Sequence, residues 1–149
     1  MNVFSAMKNR QSARAYLDKP VSRADVEDIL HHAAMAPSAI NVQPWEYVIV
    51  YGEEKDRLVR RLRSAHAERK IPCGPGTVNP LPETFKNRSR QASKAMQVRV
   101  AELGLEFNQF VEEGSCSFYG APIAIIVTMD RLFPKIRYLD VGISQRDAQ

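Results

Sequence analysis

The sequence predicts a single mixed domain of helices and strands, and three stretches carry that prediction. "PVSRADVEDILHHAAMAPS" reads as a strongly capped helix, "WEYVIVYG" as a strand that follows it, and "PIAIIVTM" as a second strand nearer the other end. A length of 149 residues suffices for one core and is short for two. With 44% hydrophobic and 26% charged residues, the composition is that of an ordinary globular protein, which excludes the disordered and fibrous classes.

At the N-terminus, "MNVFSAMKNRQSARAY" lacks the apolar stretch of a secretory leader. The longest apolar run, Ala121 to Met129, falls far short of the roughly 20 residues of a membrane-spanning helix. The expectation is a cytoplasmic protein with no membrane partner. In the first strongly signalled helix, Ser22 and Asp25 form a capping box and Val21 and Val26 a hydrophobic staple. Val26, Ile29, Leu30 and Ala33 form its apolar stripe. Pro37 disfavours helical geometry at Ala36 and has no backbone donor, so the helix is expected to stop near Met35. The chain then turns through Ser38 to Pro44. Trp45 to Tyr51 is rich in aromatic and β-branched residues and closes on Gly52, the pattern of a strand with Trp45 in the core.

Lys55 to Lys70, "KDRLVRRLRSAHAERK", places Leu58, Leu62 and Ala65 on one helical face and arginines on the other. Ile71 to Thr84, rich in proline and glycine, reads as a loop or lid, and Phe85 to Glu113 as one longer helical region. Pro122 to Met129 is so continuously apolar that burial on both faces is expected. "RYLDVGISQRDAQ" begins as a helix would, with Leu139, Val141 and Ile143 as its apolar positions. Two strands make only a marginal sheet, so the sheet reads as incomplete.

The net charge of +4 permits an anionic ligand, but it is concentrated on the arginine-rich helix, where a solvated face accounts for it and no aromatics interleave to stack bases. Nucleic acid is therefore not an expected partner. Cys73 and Cys116 form neither a CxxC nor a Cys/His cluster, and both are expected to be ordinary thiols. His31 and His32 have no carboxylate or cysteine at ligand spacing, so no metal site is expected; His66 reads the same way. No Ser-His-Asp or paired-carboxylate arrangement is present.

Two stretches concentrate binding chemistry. In "KNRQSARAYLDKPVS", Arg10, Ser12 and Arg14 alternate, so an extended backbone would project all three to one side, as an anion requires; plain solvated residues are the other reading. In "APSAINVQPW", a turn between helix and strand carries Ser38, Asn41 and Gln43, with a self-capping turn as the alternative for Asn41.

Taken in order, "RQSARAYLDKPV", "APSAINVQPWEYVIV", "FYGAP" and "YLDVGISQ" resemble the FMN-dependent nitroreductases. The resemblance implies an α+β three-layer fold with a central, mainly antiparallel sheet covered by helices, and a homodimer holding FMN at the subunit interface. It implies NAD(P)H-driven ping-pong reduction of a small-molecule acceptor such as a nitroaromatic or quinone. Arg10 and Ser12 would hold the FMN phosphate and ribityl chain with Gln11 beside them. Arg14 would lie at the pyrimidine edge as the catalytic cation, and Pro37, Ser38, Ala39, Asn41 and Gln43 would line the ring. Arg88 and Arg90 would belong to a lid or to the chain's solvated surface. Residues 1–149 would then be the N-terminal two-thirds of a nitroreductase domain, the last third being absent from this chain. A truncated, inactive flavin-binding or interaction protein is the alternative.

Overall fold

The computed structural model describes residues 2–69 and 81–147. In chain order these form α1 (Val3–Asn9), α2 (Arg23–Ala34), β1 (Trp45–Tyr51), α3 (Gly52–Arg69), α4 (Glu83–Glu102), α5 (Phe107–Cys116), β2 (Ile123–Met129) and α6 (Tyr138–Asp147). Short 3-10 turns lie at Ala39–Asn41, Phe118–Gly120 and Lys135–Arg137. The chain divides into two compact units, Met1–Leu17 with Arg57–Ala121, and Asp18–Asp56 with Pro122–Gln149.

The second unit holds the sheet. β1 and β2 pair antiparallel in a two-stranded ribbon, from Trp45 opposite Met129 to Tyr51 opposite Ile123. Trp45 and Tyr47 share one face with their partners Met129 and Val127, because side chains alternate along a strand. That face closes on Ala36 and Val141 to form the core cluster. Trp45 is buried, as expected. α2 begins as its sequence dictates: the Ser22 hydroxyl oxygen accepts from the Asp25 backbone N–H at 3.1 Å, and the hydroxyl donates to Asp25 Oδ2 at 2.7 Å. It ends with Met35 as the C-cap. Of its stripe, Ala33 is fully buried and Ile29 is exposed. Val26 and Leu30, together with Val21, Ile49, Tyr51 and Ile123, line a cavity of about 550 Å³ beside the far end of the ribbon.

Two expectations for this unit are corrected. β2 is not buried on both faces: Ala124 is buried, but Ile125 and Thr128 are exposed. A ribbon of two strands leaves each strand an open edge, and the core cluster covers only the Trp45–Met129 end. α6 forms as expected but turns a different side inward. Asp140, Val141 and Ser144 are buried, whereas Leu139 and Ile143 are exposed. The reason is polar. The Ser144 hydroxyl donates to the Ala33 carbonyl of α2 at 3.1 Å and is hydrogen-bonded to the Tyr47 hydroxyl of β1, so one side chain ties helix, strand and helix together. Arg137 Nη1 donates to Asp140 Oδ2 at 3.2 Å within the half-buried first turn.

The first unit is helical. In α3, Leu58, Leu62 and Ala65 are half-buried and Arg57, Arg60, Arg61 and Arg63 exposed, as the pattern requires. His66 Nε2 lies 3.5 Å from Glu112 Oε2 of α5. The helical region expected from about Phe85 to Glu113 is made of two helices, α4 and α5, with a break at Gly104. Gly104, at φ +70°, gives its N–H to the Ala101 carbonyl at 2.9 Å, while Leu105 N–H reaches the Val100 carbonyl at 3.2 Å. This pair of bonds is a Schellman stop, which a left-handed residue makes possible. Most of the proline- and glycine-rich segment lies outside the described residues; its last residues, Glu83 and Thr84, already belong to α4. Cys116 is not an ordinary thiol. It is buried at the end of α5 and disulfide-bonded, which distance along a chain does not forbid; Cys73 lies outside the described residues.

Ser144→Ala removes a fully buried donor from the Ala33 carbonyl and a partner from Tyr47. Unfolding in urea is expected to show a loss of about 1–2 kcal/mol, since the Ala33 carbonyl keeps its bond from Ala36 N–H while the Tyr47 hydroxyl loses its partner. Leu139→Ala on the exposed side of the same helix should change stability by less than about 0.5 kcal/mol.

Candidate active site

The first predicted segment follows α1 directly. The Asn2 side chain caps that helix by accepting from Ser5 N–H at 2.8 Å, and Arg10 ends it by turning to extended geometry, φ −60° and ψ 125°. Residues 10–17 have no helix or strand and are exposed. Among the described residues, the side chains of Arg10, Gln11 and Ser12 make no hydrogen bond or ion pair, so their donors are free. Arg14 differs. Its Nη1 gives a long bond of 3.4 Å to the Ser12 carbonyl, and its Cζ lies 5.9 Å from the centroid of the Tyr119 ring.

Arg14, Tyr16, Arg63, Leu105, Phe110 and Tyr119 are among the residues lining a cavity of about 430 Å³. Tyr119 stands in the turn that leads from α5 to β2, closed by Gly120 N–H on the Ser117 carbonyl at 3.1 Å and Ala121 N–H on the Phe118 carbonyl at 3.0 Å. Phe118 and Tyr119 both take positive φ, 54° and 52°, a region that non-glycine residues enter only where their surroundings hold them. The Tyr119 ring packs on Phe110 at 5.3 Å, and its hydroxyl shares a hydrogen bond of 3.3 Å with Ser115 Oγ.

The second predicted segment, residues 37–44, lies in the other unit. Here Ile40, Asn41 and Gln43 all have positive φ, 51°, 55° and 42°. The strain is opposed by bonds within the loop and to α2. Gln43 N–H donates to Ser38 Oγ at 2.9 Å, Asn41 N–H to the Ser38 carbonyl at 3.0 Å, and Gln43 Nε2 to the Ala34 carbonyl at 3.3 Å. Gln43 thus uses an amide hydrogen to satisfy a helix-end carbonyl, and its side-chain oxygen is what remains for a ligand. Ser38 accepts with its oxygen and still has its hydroxyl hydrogen to give. Among the described residues the Asn41 side chain bonds nothing, so it does not cap its own turn. Pro37 and Ala39 are exposed beside it.

The other candidates are occupied locally. Arg90 pairs with Glu83 at 2.7 Å and donates to Asn87 at 2.8 Å, and Arg88 lies over the Phe85 ring at 5.4 Å, all on α4. His31 and His32 are exposed on α2, with His32 Nδ1 2.8 Å from the Asp28 carbonyl oxygen. Among the described residues no group of His, Cys, Asp and Glu is arranged to hold a metal, and no helix is long and apolar enough to cross a membrane. Sequence reasoning missed Tyr119 as a neighbour of Arg14. "FYGAP" carried part of the family resemblance, but nothing in the spacing shows which residue the tyrosine ring meets.

With this geometry in view, comparison defines the class. The nitroreductase family model matches residues 7–144, and the chain belongs to the nitroreductase family. It is 32% identical over 134 residues to a nitrobenzene nitroreductase of Ectopseudomonas oleovorans, covering 84% of this chain and 57% of that protein. It is 29% identical over 149 residues to a 4-nitrobenzoate reductase of Pseudomonas putida, covering 93% and 62%. The chain therefore spans 57–62% of the length of these relatives. Among solved structures, the FMN-dependent nitroreductase NfnB of Mycobacterium smegmatis in complex with NADPH matches at TM-score 0.76 and 26% identity, over 95% of this chain and 65% of that one. NfnB of Sphigopyxis sp. strain HMH matches in fold at TM-score 0.81 and 24% identity, over 99% of this chain and 69% of that one. The nitroreductase-like α+β fold expected from the sequence is the fold observed.

Two glycines of the first unit separate backbone demands from packing demands. A Cβ on Gly104 meets nothing within 4 Å, so Gly104→Ala is expected to cost only the left-handed strain of about 1–2 kcal/mol. At Gly114 a Cβ falls 2.5 Å from Tyr119 Cε1, so Gly114→Ala must displace the ring. Thermal unfolding should show the Gly114 variant destabilised by about 1–3 kcal/mol. Its tyrosine fluorescence should change, while that of the Gly104 variant stays as in the parent.

Proposed function

We propose that the chain supplies the FMN-binding elements of an NAD(P)H-driven oxidoreductase that works as a cytoplasmic homodimer and reduces small nitroaromatic, quinone or similar acceptors. The observation that carries the reading is the stretch from Arg10 to Arg14. It is an exposed, non-helical segment in which, among the described residues, the Arg10 guanidinium and the Ser12 hydroxyl make no hydrogen bond or ion pair, while Arg14 gives one long bond to the Ser12 carbonyl.

The residues fit the cofactor by their chemistry. Arg10 offers paired N–H donors that suit two phosphate oxygens, and Ser12 adds a neutral donor to the same group. Gln11 extends the donor set along the ribityl chain. Arg14 would offer its guanidinium to the pyrimidine edge, where a cation would stabilise negative charge on the reduced ring. By their chemistry alone, Ser38 with its remaining hydroxyl hydrogen and Asn41 with both halves of its amide would suit the polar edge of a flavin ring, with Pro37, Ala39 and the Gln43 oxygen beside them in the same loop. FMN, when bound, would supply the two-electron redox chemistry that the side chains lack, with NAD(P)H as the reductant. That division of labour suits a segment made of two cations, an amide and a hydroxyl.

FMN titration of the purified chain, followed by quenching of flavin fluorescence, tests the reading. Binding is expected, with Arg10→Ala weakening it about tenfold or more, the loss of a hydrogen bond to a charged group. Anaerobic NAD(P)H should then bleach the flavin band. A chain that leaves flavin fluorescence untouched at millimolar FMN would refute the proposal.

A further inference from the structure

We infer that Tyr119 is a positioning residue for Arg14, holding the guanidinium over its ring so that an unneutralised cation is presented to the flavin; the inference rests on the flavin reading of Arg14 given above. Arg14 needs such a device. It stands in a segment without regular structure, and its one hydrogen bond is the 3.4 Å contact to the Ser12 carbonyl two residues away. A long exposed side chain held no better than this loses much of its electrostatic effect to rotamer averaging.

The ring is an anchored platform. Its edge lies against Gly114 so closely that an added Cβ there would come within 2.5 Å of Cε1 and 2.7 Å of Cδ1. On another side Phe110 packs at 5.3 Å with the planes inclined by 52°. The hydroxyl is tethered to Ser115 Oγ, whose own hydroxyl donates to the Val111 carbonyl at 2.7 Å. The backbone of Phe118 and Tyr119 is held at positive φ, which costs energy and persists only where the surroundings over-determine it. Gly114, Ser115 and Phe110 all lie on α5, so a regular helix fixes the ring and the ring fixes the arginine.

The choice of partner has a chemical consequence. Glu106 and Glu113 line the same cavity, yet among the described residues neither is ion-paired with Arg14. A carboxylate would fix the guanidinium but cancel its field. An aromatic face at 5.9 Å attracts the cation through the ring quadrupole and leaves the full charge for the flavin's pyrimidine edge.

The midpoint potential of bound FMN, measured by redox titration of the FMN-loaded chain, reads this directly. Arg14→Gln should shift it to a more negative value, since reduced flavin loses its cation. Tyr119→Leu should shift it the same way and Tyr119→Phe should not, because phenylalanine retains the face. Should Tyr119→Leu fail to fold, pentafluorophenylalanine introduced at Tyr119 keeps the ring's shape while removing its negative face, and is expected to reproduce the Arg14→Gln shift. In the double variant the two changes should give one shift, not two. A lowered potential in Arg14→Gln with parental values for both the leucine and the fluorinated variants overturns the positioning role alone. An unchanged potential in Arg14→Gln, or no FMN binding by the parent chain, overturns the flavin reading of Arg14 and the inference with it.

Discussion

The last carbonyls of α2 are the constraint around which the sheet-bearing unit is arranged. Pro37 prevents the helix from continuing and has no N–H for the Ala33 carbonyl, which is left with a local bond of 3.3 Å from Ala36 N–H and room for a further donor. Ala33 receives the Ser144 hydroxyl from α6, and Ala34 receives the Gln43 amide from the following loop. The first bond pulls α6 onto α2 and, through Tyr47, onto β1. The second folds the loop back on the helix it has just left. Packing of Ala36, Trp45 and Val141 then fills the space that these bonds define.

This arrangement explains why part of the structure was legible in the sequence. α2 and β1 carry their determinants locally: a cap at Ser22, a stop at Pro37, a run of β-branched and aromatic residues closing on Gly52. Their limits could be read from neighbouring residues. The inward side of α6 was only partly legible: of the apolar Leu139, Val141 and Ile143 only Val141 is buried, and the interaction that sets the helix's rotation is a hydroxyl meeting a carbonyl from a residue far away in the chain. The split between α4 and α5 is an intermediate case. Gly104 is a local determinant, since its left-handed backbone closes the Schellman stop, but the sequence reading did not single it out.

The candidate site divides in the same manner. Residue types and their alternation marked Arg10, Ser12 and Arg14, and the structure leaves the first two with their donors unspent. The loop residues proved to be partly engaged in their own architecture: Gln43 and Ser38 hold a backbone strained at Ile40, Asn41 and Gln43. An amide-rich turn is therefore both scaffold and candidate ligand surface, and only Asn41 is wholly released for the second role. Tyr119 was invisible for a different reason. Its contacts to Gly114, Phe110 and Arg14 follow from a turn at positive φ, which a sequence rich in aromatic residues does not announce.

α1 has a further consequence. It is 7 residues long, buries none of them, and leaves Phe4 82% exposed. A helix this short is marginal on its own, since nucleation costs more than so few bonds return. Amides from Ala6 to Arg10 should consequently exchange with solvent far faster than those of the ribbon. Arg10 and Ser12 hang from the end of this helix, so any ligand that they grip must also still the segment that carries them. The entropy of that ordering would be subtracted from the affinity, and a tightly bound phosphate would report itself first as protection of α1.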